Sequence, residues 1–172
     1  MAMVFLLLLS GIALAMLRKA GFHARIAGNV LDKTRAQQLA DASLLFAERL
    51  LAADGSATAY TCSDVQQAAT LTRTPVCDTP LANPTTLPWP VRVEYQPAGL
   101  LLQSDKAVPN TGGGDIRYPS RPGFHIAWLG YSKNSDRLFV VTAYGYGGQD
   151  ASASIVRSVF VLSTDTRCGD CP

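Results

Sequence analysis

The first 54 residues contain no proline, and this feature constrains the fold more than any other. The first proline of the chain is Pro75, so nothing before it breaks a helix sterically. Apolar residues recur at helical spacing beyond residue 20: they are Phe22, Ile26, Val30, Leu39, Phe46 and Leu50. Gly55 is a suitable helix terminator. The sequence therefore predicts one helix over residues 1–54, about 80 Å long.

The N-terminal end of this helix is strongly apolar. Residues 1–17 carry no charge, and only a Ser-Gly pair interrupts the hydrophobic run. A membrane-spanning helix needs roughly 17 to 25 residues, so we expect residues 1–17 to be transmembrane and residues 18–54 to be amphipathic. The alternative is a cleaved secretory signal, because Ala13-Leu14-Ala15 has the small-x-small form of a cleavage site.

Charge is distributed unevenly along the chain. Lys and Arg number 15 and Asp and Glu 13, which gives a formal net charge of +2. The segment through Asp54 holds six positive and four negative residues, so nine of each remain in residues 55–172. With only 16% charged residues and no clustered excess of cations, the composition argues against a protein that binds the nucleic-acid backbone.

Four cysteines follow the helix: Cys62, Cys77, Cys168 and Cys171. An even number is typical of a disulfide framework in an oxidising compartment. Four cysteines allow three pairings, and we favour Cys62 with Cys77 and Cys168 with Cys171, because each closes a local loop. The C-x2-C spacing of the second pair also occurs in zinc and redox sites, but no second C-x2-C completes a four-thiolate zinc site.

The cysteines and the charges disagree about orientation in a membrane. Arg18 and Lys19 follow the apolar run, which by the positive-inside rule places the next domain in the cytoplasm. Disulfides favour the opposite side. Basic residues upstream of Met1, removed by processing, would reconcile the two. We therefore expect a single-pass chain with its N-terminus inside and its C-terminal domain outside, in an oxidising compartment.

Residues 55–172 have the composition of a loop-rich β domain. Nine of the ten prolines lie between Pro75 and Pro122. Three runs rich in β-branched and aromatic residues predict strands: they are 124–131, 137–144 and 154–163. A run over 91–96 with 100–103 predicts an edge strand or hairpin. We expect an α+β fold in which one long N-terminal helix packs on a small antiparallel β-sheet, because each buries the apolar face of the other.

No group of residues has the spacing of a catalytic, cofactor or metal site. His23 and His125 have no neighbouring carboxylate cluster. Gly145, Gly147 and Gly148 lie between two strands and no helix follows, so we expect a hairpin loop rather than a phosphate-binding loop. Four aromatic residues suggest either a ligand-binding surface or ordinary strand packing: they are Trp128, Tyr131, Tyr144 and Tyr146. We expect a non-enzymatic protein without cofactors.

The N-terminal residues resemble those of PilX-type minor pilins of type IV pili. In that family the apolar run is followed by a methionine, a hexad similar to ERMAGN and a helix similar to AFQAAEAAL. The corresponding residues here are Met16, ARIAGN at 24–29 and AQQLADASL at 36–44.

Three C-terminal segments are similar to strands of the same family. They read GFHIAWLG at 123–130, VTAYGYGG at 141–148 and IVRSVF at 155–160. The matches occur in the family's order and cover about half of the chain, while the middle, residues 52–122, is unmatched.

The resemblance implies a type IV pilin-like fold and a minor pilin that helps to prime pilus assembly. The implied partners are other minor pilins and the major pilin, bound through a helix with a methylated N-terminus, and a PilY-type tip adhesin. The implied location is the inner membrane and then the extracellular pilus tip, where cells adhere. Helix-packing residues would be Phe5, Leu8, Ile12, Phe22, Ile26 and Val30, the last three at lateral contacts or against the sheet.

Two positions depart from the family. Pilins usually carry a glutamate at the position of Phe5, and no acidic residue precedes Asp32. A carboxylate in a membrane is kept only where it has a partner, and a subunit with no neighbour above it has none, so we expect a position at the pilus tip. Tyr144 replaces the arginine that precedes the family's Gly-x-Gly-Gly.

Two other functions fit the same sequence. One is a minor pseudopilin of a type II secretion system, which shares the architecture. The other is a membrane-tethered periplasmic module that binds a ligand through its aromatic loops.

Overall fold

A computed structural model of the chain describes residues 2–55, 57–100, 102 and 117–163. Within residues 2–20 it gives the path of the helix and the exposure of six residues: Met3, Val4, Gly11, Met16, Arg18 and Lys19.

One helix, α1 (Ala2–Ala53), forms the N-terminal third of the chain. After its last turn the amide of Asp54 donates to the carbonyl of Leu50 at 3.0 Å, and the exposed Gly55 follows. One stripe on the C-terminal half of α1 is fully buried. Its members recur every three or four residues, the period of a single helix face: Ala36, Ala40, Ser43, Ala47 and Leu51.

In the described part of the chain, six strands form one sheet. They are β1 (Val65–Gln67), β2 (Val76–Cys77), β3 (Arg92–Glu94), β4 (Gly123–Tyr131), β5 (Arg137–Tyr146) and β6 (Ala153–Leu162). The spatial order is β1-β3-β4-β5-β6, and β2 pairs with β4 beyond the end of β3. A short 3-10 turn, Ala68–Thr70, follows β1.

The sheet is mixed, so the predicted antiparallel pairing holds for β3 to β6 but not for the two short strands β1 and β2. Strands β3 to β6 pair in antiparallel fashion, but β1 runs parallel to β3 and β2 parallel to β4. The two unexpected strands have three and two residues, which is too short for a period-2 pattern to emerge. The coarser expectation, an α+β fold with one long helix on a sheet, is confirmed.

The three long predicted runs coincide closely with β4, β5 and β6. The weaker run at 91–96 contains β3. Of the run at 100–103, Leu102 forms an isolated bridge with Tyr118, and its neighbours lie outside the described residues.

The two sides of the sheet are covered by different parts of the chain. On the helix-facing side, Phe124, Ile126 and Val141 pack with Ala47 and Leu51 of α1. Side chains alternate between the two faces of a strand, so Tyr144 and Tyr146 point to the far side. There they pack against the buried Trp89 from the proline-rich segment. The domain therefore has two cores, one under the helix and one under a loop.

The predicted disulfide between Cys62 and Cys77 is confirmed, with 5.3 Å between the Cα atoms. It joins the segment after α1 to β2. Beside it, the amide of Tyr60 donates to the carbonyl of Val76 at 2.9 Å. The other predicted pair, Cys168 with Cys171, lies outside the described residues.

Candidate functional site

The contact between α1 and the sheet begins at Asp32. Its carboxylate Oδ1 accepts a hydrogen bond from the amide of Gly148, in the loop between β5 and β6. The next residue, Lys33, donates from Nζ to the carbonyl of Ala153 at the start of β6. These two bonds hold the β5–β6 loop against the helix at one point.

Glycines at the end of β5 and just after it allow the helix to approach this backbone closely. A Cβ atom at Gly145 would lie 2.6 Å from both the carbonyl oxygen of Ala36 and the amide nitrogen of Ala40. A Cβ at Gly147 would lie 2.6 Å from Oδ1 of Asp32. Real Cβ contacts are essentially never so short, so glycine is required at both positions. We expected both glycines in the hairpin loop, but Gly145 belongs to β5; a glycine inside a strand pattern indicates such a close backbone approach.

Polar contacts continue to the C-terminal end of α1. The hydroxyl of Ser158 on β6 donates to Oε1 of Glu48 at 2.6 Å. Arg137, the first residue of β5, donates to the carbonyls of Gly55 and Ala57 just after the helix. The helix is thus fixed to the sheet from residue 32 to its end.

Residues 21–31 of α1, here called the exposed segment, are all exposed. Phe22, Ile26 and Val30 retain 63%, 44% and 60% of their accessible surface. Their spacing of four residues places them along one side of the helix. They do not face the sheet. Of the two expected positions for these side chains, against the sheet or at lateral contacts with other subunits, only the second is compatible with this exposure. Large apolar side chains grouped on a surface commonly mark an interaction site.

Cations surround this apolar row. Arg18, Lys19 and Arg25 are exposed, and the first acidic residue, Asp32, is already bonded to Gly148. A surface that packs against the exposed segment therefore meets positive charge on its rim.

The predicted packing residues Phe5, Leu8 and Ile12 lie on the helix, but their side chains are outside the described part of the structure. Of their neighbours, Met3, Val4 and Met16 are exposed. Within the described part of the chain, no helix combines the length and apolar character needed to cross a bilayer.

The four aromatic residues considered as one ligand surface lie in two separate places. Tyr144 and Tyr146 are buried on the far side, where Tyr144 meets Trp89 edge-to-face at 5.0 Å between ring centroids. Burial raises the pKa of both tyrosines. The rings of Trp128 and Tyr131 contact each other, with 5.0 Å between their centroids. Trp128 also packs against the core on the helix-facing side of the sheet. They form no common binding surface.

The histidines also lie apart. His23 is exposed on α1, whereas His125 is buried on β4 and paired in register with Thr142. Burial lowers the pKa of His125 to about 4, so it is neutral at physiological pH. Among the described residues, no three His, Cys, Asp or Glu side chains cluster as metal ligands.

No family model, curated protein or solved structure matches this chain.

Proposed function

We propose that this protein is a minor pilin that helps to prime type IV pilus assembly and forms part of a tip complex supporting a tip adhesin. The observation that carries the proposal is the division of α1 at Asp32. On one side of it the helix packs on the sheet through small residues, and on the other Phe22, Ile26 and Val30 are exposed.

This division suits a subunit that joins others through its helix. Burying the exposed row against apolar helices of neighbouring subunits would contribute roughly 25 cal/mol per Å² of apolar surface removed from water. Residues 1–17, which carry no charge, precede this row in the chain. In the proposed scheme they lie in the inner membrane first and among other pilin helices later.

The motifs at 24–29, 123–130 and 141–148 support the pilin assignment, and the structure gives two of them a physical role. The segment 141–148 contains Gly145 and Gly147, which meet α1, and 123–130 lies next to it in the sheet. Their side chains and backbone build the helix-sheet contact on which a pilin-like domain depends.

Photo-cross-linking in cells tests the assembly role. A photoreactive residue placed at Phe22, Ile26 or Val30 should capture other pilin-like helices, because these side chains are exposed and apolar. The matched control is Val159, which retains 60% of its accessible surface but lies on β6; it should not capture them.

Equal capture from Val159 and the helix positions, or capture of no pilin-like protein from the helix, would contradict the proposal. Capture of secretion-system pseudopilins alone would contradict the pilus role and would assign the protein to a type II secretion system.

A further inference from the structure

A cavity of about 210 Å³ opens beside the C-terminal half of α1, away from the exposed segment. Its lining residues come from α1, from the 3-10 turn after β1, from the segment after β3 and from the approach to β4: they include Phe46, Ala68, Ala69, Glu94, Tyr95 and Arg121. Because β1 and β3 are parallel, both strands end at this same place. The carboxyl ends of parallel strands are a common position for binding crevices.

One wall of the cavity is aromatic and held in place. The ring of Phe46 stacks on Tyr95 with 4.5 Å between centroids and 20° between planes. Phe46 also packs against Phe124 of the main core at 5.9 Å, and the amide of Tyr95 donates to the carbonyl of Pro122 at 2.9 Å. The wall is therefore formed before anything binds.

The charges at and beside the cavity are unequal: Glu94 and Arg121 line it, and Arg92 lies behind Glu94. Two guanidinium groups face one carboxylate: Nη2 of Arg92 lies 2.6 Å from Oε1 of Glu94, while Nη1 of Arg121 lies 3.8 Å from Oε2. Arg92 has the shorter contact and also donates to the carbonyl of Trp89 at 2.7 Å. The Nε atoms of both arginines are buried without a hydrogen-bond partner among the described residues, so the contacts of the terminal nitrogens distinguish the two side chains. Arg121 is thus the less satisfied cation, and it lines the cavity.

The size of the cavity selects the kind of occupant. Small-molecule pockets usually span about 300 to 1,000 Å³, which is larger than this one, whereas a single bulky side chain is enough to fill it. Aromatic side chains in well-packed pockets are typical anchors of protein interfaces, and one that enters here meets the Phe46–Tyr95 wall.

We propose that this cavity, here called the aromatic pocket, receives an aromatic side chain of a partner protein whose neighbouring residue is acidic and pairs with Arg121. Glu94 is shared with Arg92 and therefore leaves part of the positive charge of Arg121 uncompensated. The partner's carboxylate would neutralise this remaining positive charge. This inference does not depend on the assembly role, since the pocket and the exposed segment are on different parts of α1.

Peptide binding to the full chain in zwitterionic detergent micelles tests the proposal. The probe is the blocked tetrapeptide Gly-Phe-Asp-Gly, followed by amide chemical shifts of Ala68 and Ala69 during a titration into the millimolar range. Gly-Phe-Asn-Gly should bind roughly fivefold to tenfold more weakly because it lacks the charge, and Gly-Ala-Asp-Gly should not bind measurably. These comparisons leave the protein unchanged, so they are independent of variant folding.

Two variants complete the test. Arg121→Gln should remove the preference for Asp over Asn, whereas Arg73→Gln, which changes an exposed arginine stacked on Tyr60 outside the pocket, should retain it. Ala69→Trp fills the pocket from an exposed position and should abolish binding while the thermal midpoint stays near that of the parent. The proposal is overturned if no peptide shifts these amides, if Asp and Asn peptides bind equally, or if folded Ala69→Trp binds as the parent does.

Discussion

The distance between helix and sheet is set by individual small residues. On α1 the buried Ala36 and Ala40 lie against Gly145 of β5. Protein interiors are packed near the density of organic crystals, so an added methyl group there has no void to enter. Close approach in turn allows Asp32 and Lys33 to reach the β5–β6 loop.

Gly145→Ala tests this packing. The new Cβ would overlap backbone atoms of Ala36 and Ala40, which have no alternative rotamer, so we expect a loss of about 2 to 3 kcal/mol in the free energy of unfolding. Denaturant unfolding of the purified chain measures it. Gly28→Ala is the matched control, because a Cβ at Gly28 meets nothing within 4 Å and alanine favours the helix. Equal stability of the Gly145 variant and the parent would contradict the close packing.

His125 makes stability depend on pH. Its pKa is about 4 in the folded protein and near 6.5 in the unfolded chain. Between these values the unfolded chain binds a proton that the folded protein does not, so stability falls as pH drops from about 6.5 to about 4. The loss from this group should reach about 3 kcal/mol and should not increase below pH 4.

The measurement is the free energy of unfolding of the parent and of His125→Gln across this pH range. The difference between the two proteins isolates the histidine from the carboxylates, which titrate in both. A constant difference from pH 7 to pH 4 would show that burial does not disfavour the charged imidazole.

At the scale of elements, α1 is one continuous helix with two different environments. From Asp32 onward it is covered by β4, β5 and β6, and residues 21–31 are exposed. A helix in a protein gains most of its stability from tertiary packing. The bonds from Asp32 and Lys33 therefore lie where the packed part of the helix ends.

Asp32→Ala should loosen this boundary. It removes the acceptor of the Gly148 amide, and we expect a loss of about 1 kcal/mol, since a hydrogen bond to a charged group at a half-exposed site lies at the low end of such contributions. Hydrogen exchange of the Gly148 amide should accelerate. Asp32→Asn keeps an acceptor oxygen and should lie between the alanine variant and the parent. Unchanged exchange in the alanine variant would show that this bond does not hold the loop.

At the scale of the whole molecule, the segment between helix and main sheet is joined to the domain at several points. It supplies the short strands β1, β2 and β3, the buried Trp89 and the disulfide. The indole Nε1 of Trp89 donates to the carbonyl of Pro84 at 2.9 Å, so even the proline-rich part has an internal core. Where the structure describes this segment, at residues 57–100, 102 and 117–122, the loop-rich composition corresponds to packed structure rather than to a free linker.

Removal of the disulfide should destabilise the domain by about 3 kcal/mol, the value expected from the chain entropy of a closed loop of about 15 residues. The sequence separation of Cys62 and Cys77 is 15. The double variant Cys62→Ala, Cys77→Ala should lower the thermal midpoint, and reductant should have little further effect on its unfolding. A midpoint equal to that of the oxidised parent would contradict a structural role for this bond.

The long elements were predictable because their patterns repeat many times. The 54 proline-free residues at the N-terminus correspond to about 15 helical turns at ~3.6 residues per turn. Strands β4 to β6 each contain nine or ten residues of strand-forming composition. The local Cys62–Cys77 pairing followed from proximity in sequence. By contrast, β1 and β2 are too short to produce a period, and Trp89 in its proline-rich surroundings has no pattern that indicates burial.

Local sequence patterns predict a long helix, apolar at its start, and a disulfide-containing β domain after it, because periodicity and proline placement act locally. The buried helix face, the need for glycine at positions 145 and 147 and the position of the aromatic pocket are visible only in the packed structure. Each of these depends on contacts between distant residues, such as the Asp32–Gly148 hydrogen bond across 116 positions. Local sequence patterns do not indicate such pairings, because the pairings form only when the helix and the strands pack together. Close packing then excludes other arrangements of these elements.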